Sequence, residues 1–265
     1  MYFDFLNILA LATIFAGVVW VVDDLWCAGK RRSGATGFSE QKKYPIVIEY
    51  SRSLFPVLLI VLLIRAFLIQ PYRVPTGSLE PTIMPGDMIL VNQYDYGLRL
   101  PIWNKELIHV REPKTGEIAL FRWPVSPGVT FVKRVIGVPG DHISYINKML
   151  YVNGKPATQA RLNDAMEMSD NGSASKVQVY EEVLAGVKHR IYIRPDRPAE
   201  DFKNLVVPVG TYFMMGDNRD DSDDSRSWGF VPSDDFIGRG ILIFMSWDSN
   251  AHRVRWDRIG QSLQK

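Results

Sequence analysis

Residues 54–83 are LFPVLLIVLLIRAFLIQPYRVPTGSLEPTI, and their character changes halfway along. The first half, residues 54–69, is almost entirely apolar, as in a membrane helix, whereas the second half is rich in the Pro, Gly, Thr and Ser of a loop. Ser78 therefore lies just beyond a hydrophobic segment. Lys133 follows 55 residues later in the apolar run Phe131–Val135. This combination predicts a serine nucleophile that a lysine activates at the face of a bilayer.

A second apolar block, residues 2–22, precedes the first. About 20 helical residues cross the hydrocarbon core of a bilayer. Cytoplasmic loops carry an excess of Lys and Arg, so the segment between the blocks is expected in the cytoplasm, and everything after residue 70 on the opposite, periplasmic side. We predict a multi-pass protein of the inner membrane, with transmembrane helices at 1–22 and 53–70 and a basic loop at 23–52. The basic residues of this loop are Lys30, Arg31, Arg32, Lys42, Lys43 and Arg52.

Other interpretations of the apolar blocks remain open. The first block could be a cleaved signal peptide, although it lacks a basic start and a small-x-small site. Residues 25–27, Leu-Trp-Cys, weakly resemble a lipoprotein site, but Trp26 is large for that position. The second block could be a buried core helix, against which its length and the basic loop before it both argue.

The chain has 265 residues, which is enough for one or two domains, and its net charge is +2. Nothing in this charge indicates a nucleic-acid partner. Cys27 is the single cysteine, so an internal disulfide cannot form.

After residue 70 the pattern predicts a mainly β fold, because short apolar or alternating runs are separated by Gly, Pro and Asp. Asn153 and Gly154 form a hairpin turn signal. Residues 155–186 are polar and typical of an inserted cap-like subdomain with loops. We predict a barrel-like catalytic domain from 71–141 and 211–265, interrupted by a β-rich insertion at 142–210. The predicted strands are 88–91, 118–121, 131–138, 143–146, 190–193 and 237–244.

A lysine can act as a general base only when it is neutral, and its ordinary pKa of about 10.4 keeps it charged near pH 7. Burial disfavours the charged form and lowers the pKa. Because side chains alternate along a strand, Lys133 would share one face with Phe131 and Val135. Taken alone, Lys133 could equally be an exposed lysine of an edge strand, and Ser78 a turn serine.

The wider pattern resembles bacterial signal peptidase I, the membrane-bound leader peptidase. The order of its motifs, the two membrane segments and the basic loop all fit that family. Thr76, Leu79 and Ile83 differ from its commonest residues but keep a hydroxyl or similar bulk. Four blocks carry the likeness, namely Pro75-Thr-Gly-Ser-Leu-Glu-Pro-Thr-Ile83, Gly86-Asp-Met-Ile-Leu-Val91, Lys133-Arg-Val-Ile-Gly-Val-Pro-Gly-Asp141 and Gly216-Asp-Asn-Arg-Asp-Asp-Ser-Asp-Asp-Ser-Arg-Ser-Trp-Gly-Phe-Val-Pro232.

The resemblance implies a role for each matching residue. Ser78 would be the nucleophile and Lys133 its general base. The oxyanion hole would combine the Ser78 N–H with the Thr76 hydroxyl. Supporting roles would fall to Ser222, which hydrogen-bonds the lysine ammonium, to the ion pair of Asp224 and Arg226, and to Gly216, which allows close backbone approach. Shallow pockets for small substrate side chains would be lined by Val74, Leu79, Ile83, Ile89 and Val132.

Two other chemistries fit the sequence poorly. An EF-hand starting at Asp217 needs an oxygen ligand where Arg219 stands, and one starting at Asp220 needs a glutamate where Val231 stands. We therefore expect no metal and no cofactor. A Ser–His mechanism lacks a Gly-x-Ser-x-Gly elbow. The four histidines, His109, His142, His189 and His252, lie outside any triad pattern.

By this resemblance, the chain would remove signal peptides from exported preproteins after Ala-x-Ala sites, with the substrate added as a β-strand. Its partners would be the preprotein, the translocase and the lipid bilayer, which Trp247 and Trp256 would contact unless they belong to the core. One alternative is a self-cleaving Ser–Lys regulator of the repressor type. Another is a catalytically silent membrane module that binds signal peptides or assists the translocase. The membrane segments argue against the first, and the intact serine and lysine against the second.

Overall fold

In this computed structural model, the structure describes residues 5–27, 45–67, 69–99, 106–168, 174–249 and 251–263. Most of the predicted cytoplasmic loop, including its basic residues from Lys30 to Lys43, lies outside the described residues. The chain divides into two compact units. One unit contains Met1–Ile69 with Leu98–Ile108, and the other contains Gln70–Gly97 with His109–Lys265.

The first unit contains two long apolar helices. Helix α1 spans Phe5–Val22 and continues as a short π-helix, Asp23–Cys27, while α2 spans Ile46–Phe67. Each contains a window of at least 18 residues with mean hydropathy 2.0, so both are long and apolar enough to cross a membrane. The two helices pack together, with the rings of Trp20 and Phe55 edge to face at 5.3 Å. Helix α2 begins at Ile46, seven residues before residue 53, at which the apolar pattern predicted its start.

The second unit is built on an eight-stranded sheet, which confirms the predicted mainly β class. Its strand order is β1-β2-β16-β5-β6-β14-β15, and β17 pairs with β16. The strands occupy the predicted apolar runs because their alternating side chains enter two apolar clusters. Their bounds are β1 Ile69–Arg73, β2 Asp87–Asn92, β5 Ile118–Trp123, β6 Ser126–Gly137, β14 Thr211–Met215, β15 Val231–Pro232, β16 Phe236–Asp248 and β17 Arg253–Val254.

Three smaller sheets complete the β structure of the described residues. A four-stranded sheet has the order β13-β7-β8-β9, a three-stranded sheet is β10-β11-β12, and β3 pairs with β4. The short helix α3, Ser225–Trp228, follows β14. The strands are β3 Gly97–Arg99, β4 Glu106–His109, β7 His142–Ile146, β8 Met149–Val152, β9 Lys155–Pro156, β10 Thr158–Met168, β11 Ala174–Leu184, β12 Val187–Ile193 and β13 Phe202–Val206.

The inserted segment is β-rich as predicted, but the loops expected within residues 155–186 are replaced by strands over 158–168 and 174–184, while the residues between them lie outside the described ones. The strands β10 and β11 fill most of this segment and pair antiparallel along their length, with Thr158 opposite Val183 and Met168 opposite Ala174. Most of its polar side chains lie on exposed faces of these strands, and two of its carboxylates are buried in ion pairs, Glu167 with Arg194 and Glu182 with Arg219. Polar composition therefore did not indicate irregular structure here, since a strand can have a solvated face and can bury a paired charge.

A loop between β1 and β2 carries Ser78 and is fixed at its base by the backbone. The N–H of Val74 donates to the Asp87 carbonyl oxygen at 2.9 Å, and the N–H of Gly86 donates back to Val74 at 3.1 Å. The fully buried side chain of Leu79 anchors the middle of the loop in the core beneath the large sheet. We call residues 74–86 the nucleophile loop, after the role predicted for Ser78, and this loop is an ordered part of the fold.

Candidate active site

Lys133 lies inside the protein on β6, opposite Ala119 of β5. Only 3% of its surface is exposed. The Phe131 ring lies on the same face of the strand, with its centroid 5.6 Å from the amine nitrogen. Phe131 and Val135 belong to one apolar cluster, as the alternation along the strand predicts. The amine donates a hydrogen bond of 3.0 Å to the Ser222 hydroxyl.

Burial lowers the pKa of Lys133 from 10.5 to about 8. The carboxylates of Asp224 and Asp223 act in the opposite direction by stabilising the ammonium, and the positive charge of Arg226 lowers the pKa further. Removal of water is therefore the dominant effect, since a buried amine loses more solvation when charged than when neutral. About a quarter of a group with this pKa is neutral at pH 7.5, against roughly one in a thousand for an ordinary lysine.

Ser78 and Lys133 line the same cleft, which has a volume of about 430 Å³. Ser78 is half-buried, and its hydroxyl lies 3.5 Å from the Thr76 hydroxyl. The lining includes the aromatic or apolar side chains of Tyr72, Val74 and Phe131. It also includes carboxylates, among them those of Glu167, Asp221 and Asp223. The cleft thus brings together a hydroxyl, a buried amine and a second hydroxyl.

Gly216 is the point where the chain leaving β14 passes the nucleophile loop. A Cβ placed there would lie 2.6 Å from the Ser222 Cβ and would also collide with the Ser78 carbonyl oxygen. Only a glycine allows these segments to approach so closely. This contact brings Ser222, the acceptor of the Lys133 amine, next to the backbone of Ser78.

Asp224 and Arg226 form a buried ion pair that fixes the segment after Gly216. The guanidinium donates two hydrogen bonds of 2.8 Å to the two oxygens of the Asp224 carboxylate. That carboxylate also accepts the Gly216 N–H at 3.0 Å and the backbone N–H of Arg226. Burial raises the pKa of Asp224, but Arg226 and the backbone donor outweigh this effect and leave the pKa below its ordinary value.

The five apolar residues predicted to line substrate pockets lie in one cluster of the core. Val74 and Val132 reach the cleft itself. Leu79, Ile83 and Ile89 are completely buried behind them. The cluster thus supplies two side chains to the cleft wall and three to the packing that holds this wall in place.

The four histidines all lie among the described residues, and the cleft is lined by none of them. His189 is buried beside Glu182, at 3.2 Å, and Asp217, at 3.9 Å, in the interior of the fold. His142 is exposed and contacts Asn204. Within the described part of the chain, no group of His, Cys, Asp and Glu has the arrangement of a metal site.

The acidic segment 217–224 is explained by its partners. The Asp217 carboxylate accepts two hydrogen bonds from Arg134, at 2.8 and 2.6 Å, and a third from Thr82 at 2.5 Å. Asp220 pairs with Lys148 at 2.9 Å. These carboxylates are held in pairs with basic and hydroxyl side chains around the cleft.

Sequence reasoning missed two buried residues next to the nucleophile loop, Asn218 and Glu167. Asn218 contacts the carbonyl groups of Gly77 and Ser78, and Glu167 contacts Asn218. Asn218 lies within the block that resembles the family, but its role had no local signal. Glu167 lies in a polar segment whose strands were not recognised, so nothing in its surroundings marked it.

A half-buried serine and a buried lysine of lowered pKa, in one cleft without a histidine, are typical of a serine peptidase with a lysine base. The family described as signal peptidase, peptidase S26, matches residues 47–247. The chain therefore belongs to the signal peptidase S26 family of serine peptidases, and the resemblance inferred from its motifs is confirmed.

Relatives over nearly the whole chain agree with this assignment. Signal peptidase I of Pseudomonas fluorescens is 36% identical and aligns with 98% of this chain and 99% of its own length. Signal peptidase I of Pseudomonas aeruginosa is 35% identical, with 93% and 94% covered. A crystal structure of a signal peptidase I from Enterococcus faecalis V583 is 26% identical and covers 49% of this chain and 97% of its own. Its TM-score of 0.33 is too low to support a conclusion about the fold.

Proposed function

We propose that the chain is a membrane-bound endopeptidase that removes N-terminal signal peptides from exported preproteins, with Ser78 as nucleophile and Lys133 as general base. One observation carries the proposal: the Lys133 amine is buried, has a pKa of about 8 and lines the same cleft as Ser78. Holding a charged amine in such a place costs about 3 kcal/mol at 1.36 kcal/mol per pKa unit. A purely structural lysine gains nothing from that cost.

The proposed reaction has two halves. Lys133 takes the Ser78 proton while the serine oxygen bonds to the scissile carbonyl carbon, and the negative charge on the carbonyl oxygen is stabilised by the Ser78 N–H and the Thr76 hydroxyl. The C–N bond then breaks, and the proton on Lys133 passes to the leaving amine of the mature protein. In the second half Lys133 takes a proton from water, the hydroxide attacks the acyl-enzyme, and Ser78 recovers its proton as the signal peptide leaves.

Ser222 is proposed to orient the Lys133 amine through the 3.0 Å hydrogen bond. Asp224 and Arg226 hold the segment that carries Ser222, and Gly216 lets it approach the nucleophile loop. These four residues act on the position of the base and do not themselves bond to the substrate. We expect their replacement to lower activity less than loss of the nucleophile or of the base.

The substrate is proposed to bind as an added strand, because β1 is an edge strand of the large sheet and leads into the cleft. Small residues before the cut, as in Ala-x-Ala, suit a cleft wall formed by buried side chains such as Val74 and Val132. Leu79, Ile83 and Ile89 would limit its depth from behind. No cofactor is required by this chemistry.

The test is cleavage of a model preprotein by the purified full chain, with the cut mapped by mass spectrometry. Ser78→Ala and Lys133→Met are each expected to abolish cleavage while thermal unfolding stays cooperative. Ser144→Ala and Lys188→Met change the same residue types outside the cleft and should leave cleavage unchanged. A serine-acylating inhibitor should label the wild type and not Ser78→Ala. Normal processing by either of the first two variants would refute the assignment.

Helices α1 and α2 are proposed to span the inner membrane, with the basic loop in the cytoplasm and the catalytic domain in the periplasm. The hydropathy of both helices and the Lys and Arg excess between them support this orientation. Trp247 and Trp256, exposed by 40% and 76%, are proposed to contact the lipid surface of that side, and the translocase is a further partner compatible with it.

The single cysteine allows this orientation to be tested directly. Cys27 is expected to be shielded from a membrane-impermeant maleimide in spheroplasts and to react after the membrane is opened. Asp257→Cys, introduced at an exposed position of the catalytic domain, should react before opening. Labelling of Cys27 in intact spheroplasts, with Asp257→Cys protected, would reverse the proposed orientation.

A further inference from the structure

Asn218 holds the two peptide groups on either side of the Ser78 α-carbon. Its backbone N–H donates to the Ser78 carbonyl oxygen at 3.1 Å. Its side-chain nitrogen Nδ2 donates to the Gly77 carbonyl oxygen at 3.2 Å. The residue is completely buried against the nucleophile loop and is not part of the cleft lining. The Gly77 carbonyl oxygen also accepts the Glu80 N–H at 2.9 Å, so Asn218 fixes the peptide plane before Ser78 together with a turn of the loop itself, and its N–H fixes the plane after Ser78.

The direction of the Gly77 carbonyl decides where the Ser78 N–H points. In a trans peptide the C=O of one residue and the N–H of the next lie in one plane and point in opposite directions. Because the Gly77 carbonyl faces the Asn218 amide and the Glu80 N–H, the Ser78 N–H points away from both donors. This N–H is the backbone donor of the proposed oxyanion hole.

The Asn218 side chain is itself fixed by Glu167. Its Nδ2 donates to the Glu167 Oε1 at 2.5 Å. Both partners of the amide are acceptors, so the NH₂ group and not the oxygen must face them. The second carboxylate oxygen of Glu167 accepts from the Arg194 Nε at 3.1 Å and Nη2 at 2.7 Å. With both oxygens engaged and 4% of its surface exposed, Glu167 has little freedom to turn.

We propose that Asn218 is a positioning residue for the oxyanion hole and that Glu167, on β10 of the inserted segment, acts through it. The chain of contacts runs from Arg194 and Glu167 to Asn218 and then to the peptide between Gly77 and Ser78. This inference rests on the proposed function of Ser78. On this proposal the insertion contributes to catalysis, because its strand β10 helps to orient the Ser78 N–H, a hydrogen-bond donor that acts only in the transition state.

Kinetics of preprotein cleavage by Asn218→Ala test the proposal. We expect kcat to fall about 10- to 100-fold, the order expected for misplacement of a catalytic group. KM should stay within about twofold, since oxyanion donors act on charge that develops in the transition state. The Kd of a peptide aldehyde, whose adduct with serine carries the same oxyanion, should rise by the same factor as kcat falls. The acid limb of the pH profile should not move, because Asn218 does not contact Lys133.

A double-mutant cycle tests whether Glu167 acts through Asn218. Glu167→Ala should show the same selective loss of kcat, and Glu167→Gln, which keeps a carbonyl acceptor, should recover most of it. The double variant Glu167→Ala/Asn218→Ala should be no slower than Asn218→Ala alone, because coupled residues are not additive. The matched control is Asp164→Ala, which removes an exposed carboxylate from the same strand and should leave kcat unchanged.

The outcomes separate this inference from the proposed function. Loss of activity in Ser78→Ala together with unchanged kcat in Asn218→Ala overturns only the positioning role. Retained activity in Ser78→Ala overturns the proposed function. Additive losses in the double variant, or an effect on KM alone, also overturn the positioning role. If Asn218→Ala does not fold, Glu167→Ala with the aldehyde measurement decides the question, since it leaves both hydrogen bonds from Asn218 to the nucleophile loop available.

Discussion

Replacing Lys133 by methionine is expected to abolish cleavage and also to stabilise the folded chain at neutral pH. Burial lowers the pKa of this amine from 10.5 to about 8. The folded state therefore binds the proton more weakly than the unfolded state does, and below pH 8 the ammonium destabilises the fold. At 1.36 kcal/mol per pKa unit this penalty is about 3 kcal/mol at pH 7.

Methionine removes the charge, and its unbranched side chain can fill much of the space that the lysine occupied. The variant loses the hydrogen bond to Ser222, which is worth about 1 kcal/mol. The net gain in the free energy of unfolding is then about 2 kcal/mol at pH 7, and the melting temperature should rise by about 4–8 °C.

Between pH 8 and pH 10.5 the folded wild type has released the proton while the unfolded chain still binds it. Wild-type stability therefore rises with pH through this window, and the advantage of the variant should nearly vanish at pH 10.

The measurement is thermal unfolding of the purified full chain in detergent at pH 7 and pH 10, for the wild type and Lys133→Met. Lys188→Met, an exposed position on β12, controls for the loss of one lysine. A Lys133→Met variant that is less stable than the wild type at pH 7, or a stability difference that does not change between the two pH values, would refute the argument that this amine is held at a cost.

Three further outcomes follow from the same geometry. The kcat/KM of the wild type should increase with pH through a midpoint near 8, because the neutral Lys133 amine is the active form, and a midpoint above 10 in a pH-rate profile would contradict this. Gly216→Ala should lower kcat about 100-fold, because the added Cβ pushes the nucleophile loop out of place. The control is Gly128→Ala, which should leave kcat unchanged because a Cβ there meets no atom within 4 Å. Equal kinetics for the two variants would count against the close approach of the two segments at Gly216. Asp224→Ala should lower the free energy of unfolding by about 3–5 kcal/mol, because it leaves the guanidinium of Arg226 buried and unpaired. A melting temperature within about 2 °C of the wild type would show that the ion pair is dispensable.

Local patterns were sufficient to predict the two apolar helices, the mainly β class and the candidate nucleophile and base. The alternation around Lys133 indicated its apolar neighbours, because a strand directs every second side chain to the same face. The motif resemblance named Ser222, Asp224 and Gly216, and the structure brings them next to the lysine and the nucleophile loop. Their proposed roles remain to be tested by the variants above.

The buried charges could not be predicted in the same way. Glu182 and Arg219 are both completely buried because they pair with each other, although they lie far apart in the sequence. When the sequence does not reveal the partner of a charged residue, the residue is predicted to be exposed to solvent. The same reasoning assigned loops to β10 and β11, and it concealed the contact between Glu167 and Asn218.

The contact between Asn218 and the nucleophile loop also bears on how the enzyme matures during its own synthesis. Ser78 leaves the ribosome early, but the residues that hold its backbone are translated about 140 positions later. If Ser78 acts as proposed, a nascent chain that has inserted its two helices would have no organised oxyanion hole until the C-terminal segment docks. We therefore expect the protein to stay inert for most of its translation, and a chain truncated before Gly216 to lack peptidase activity.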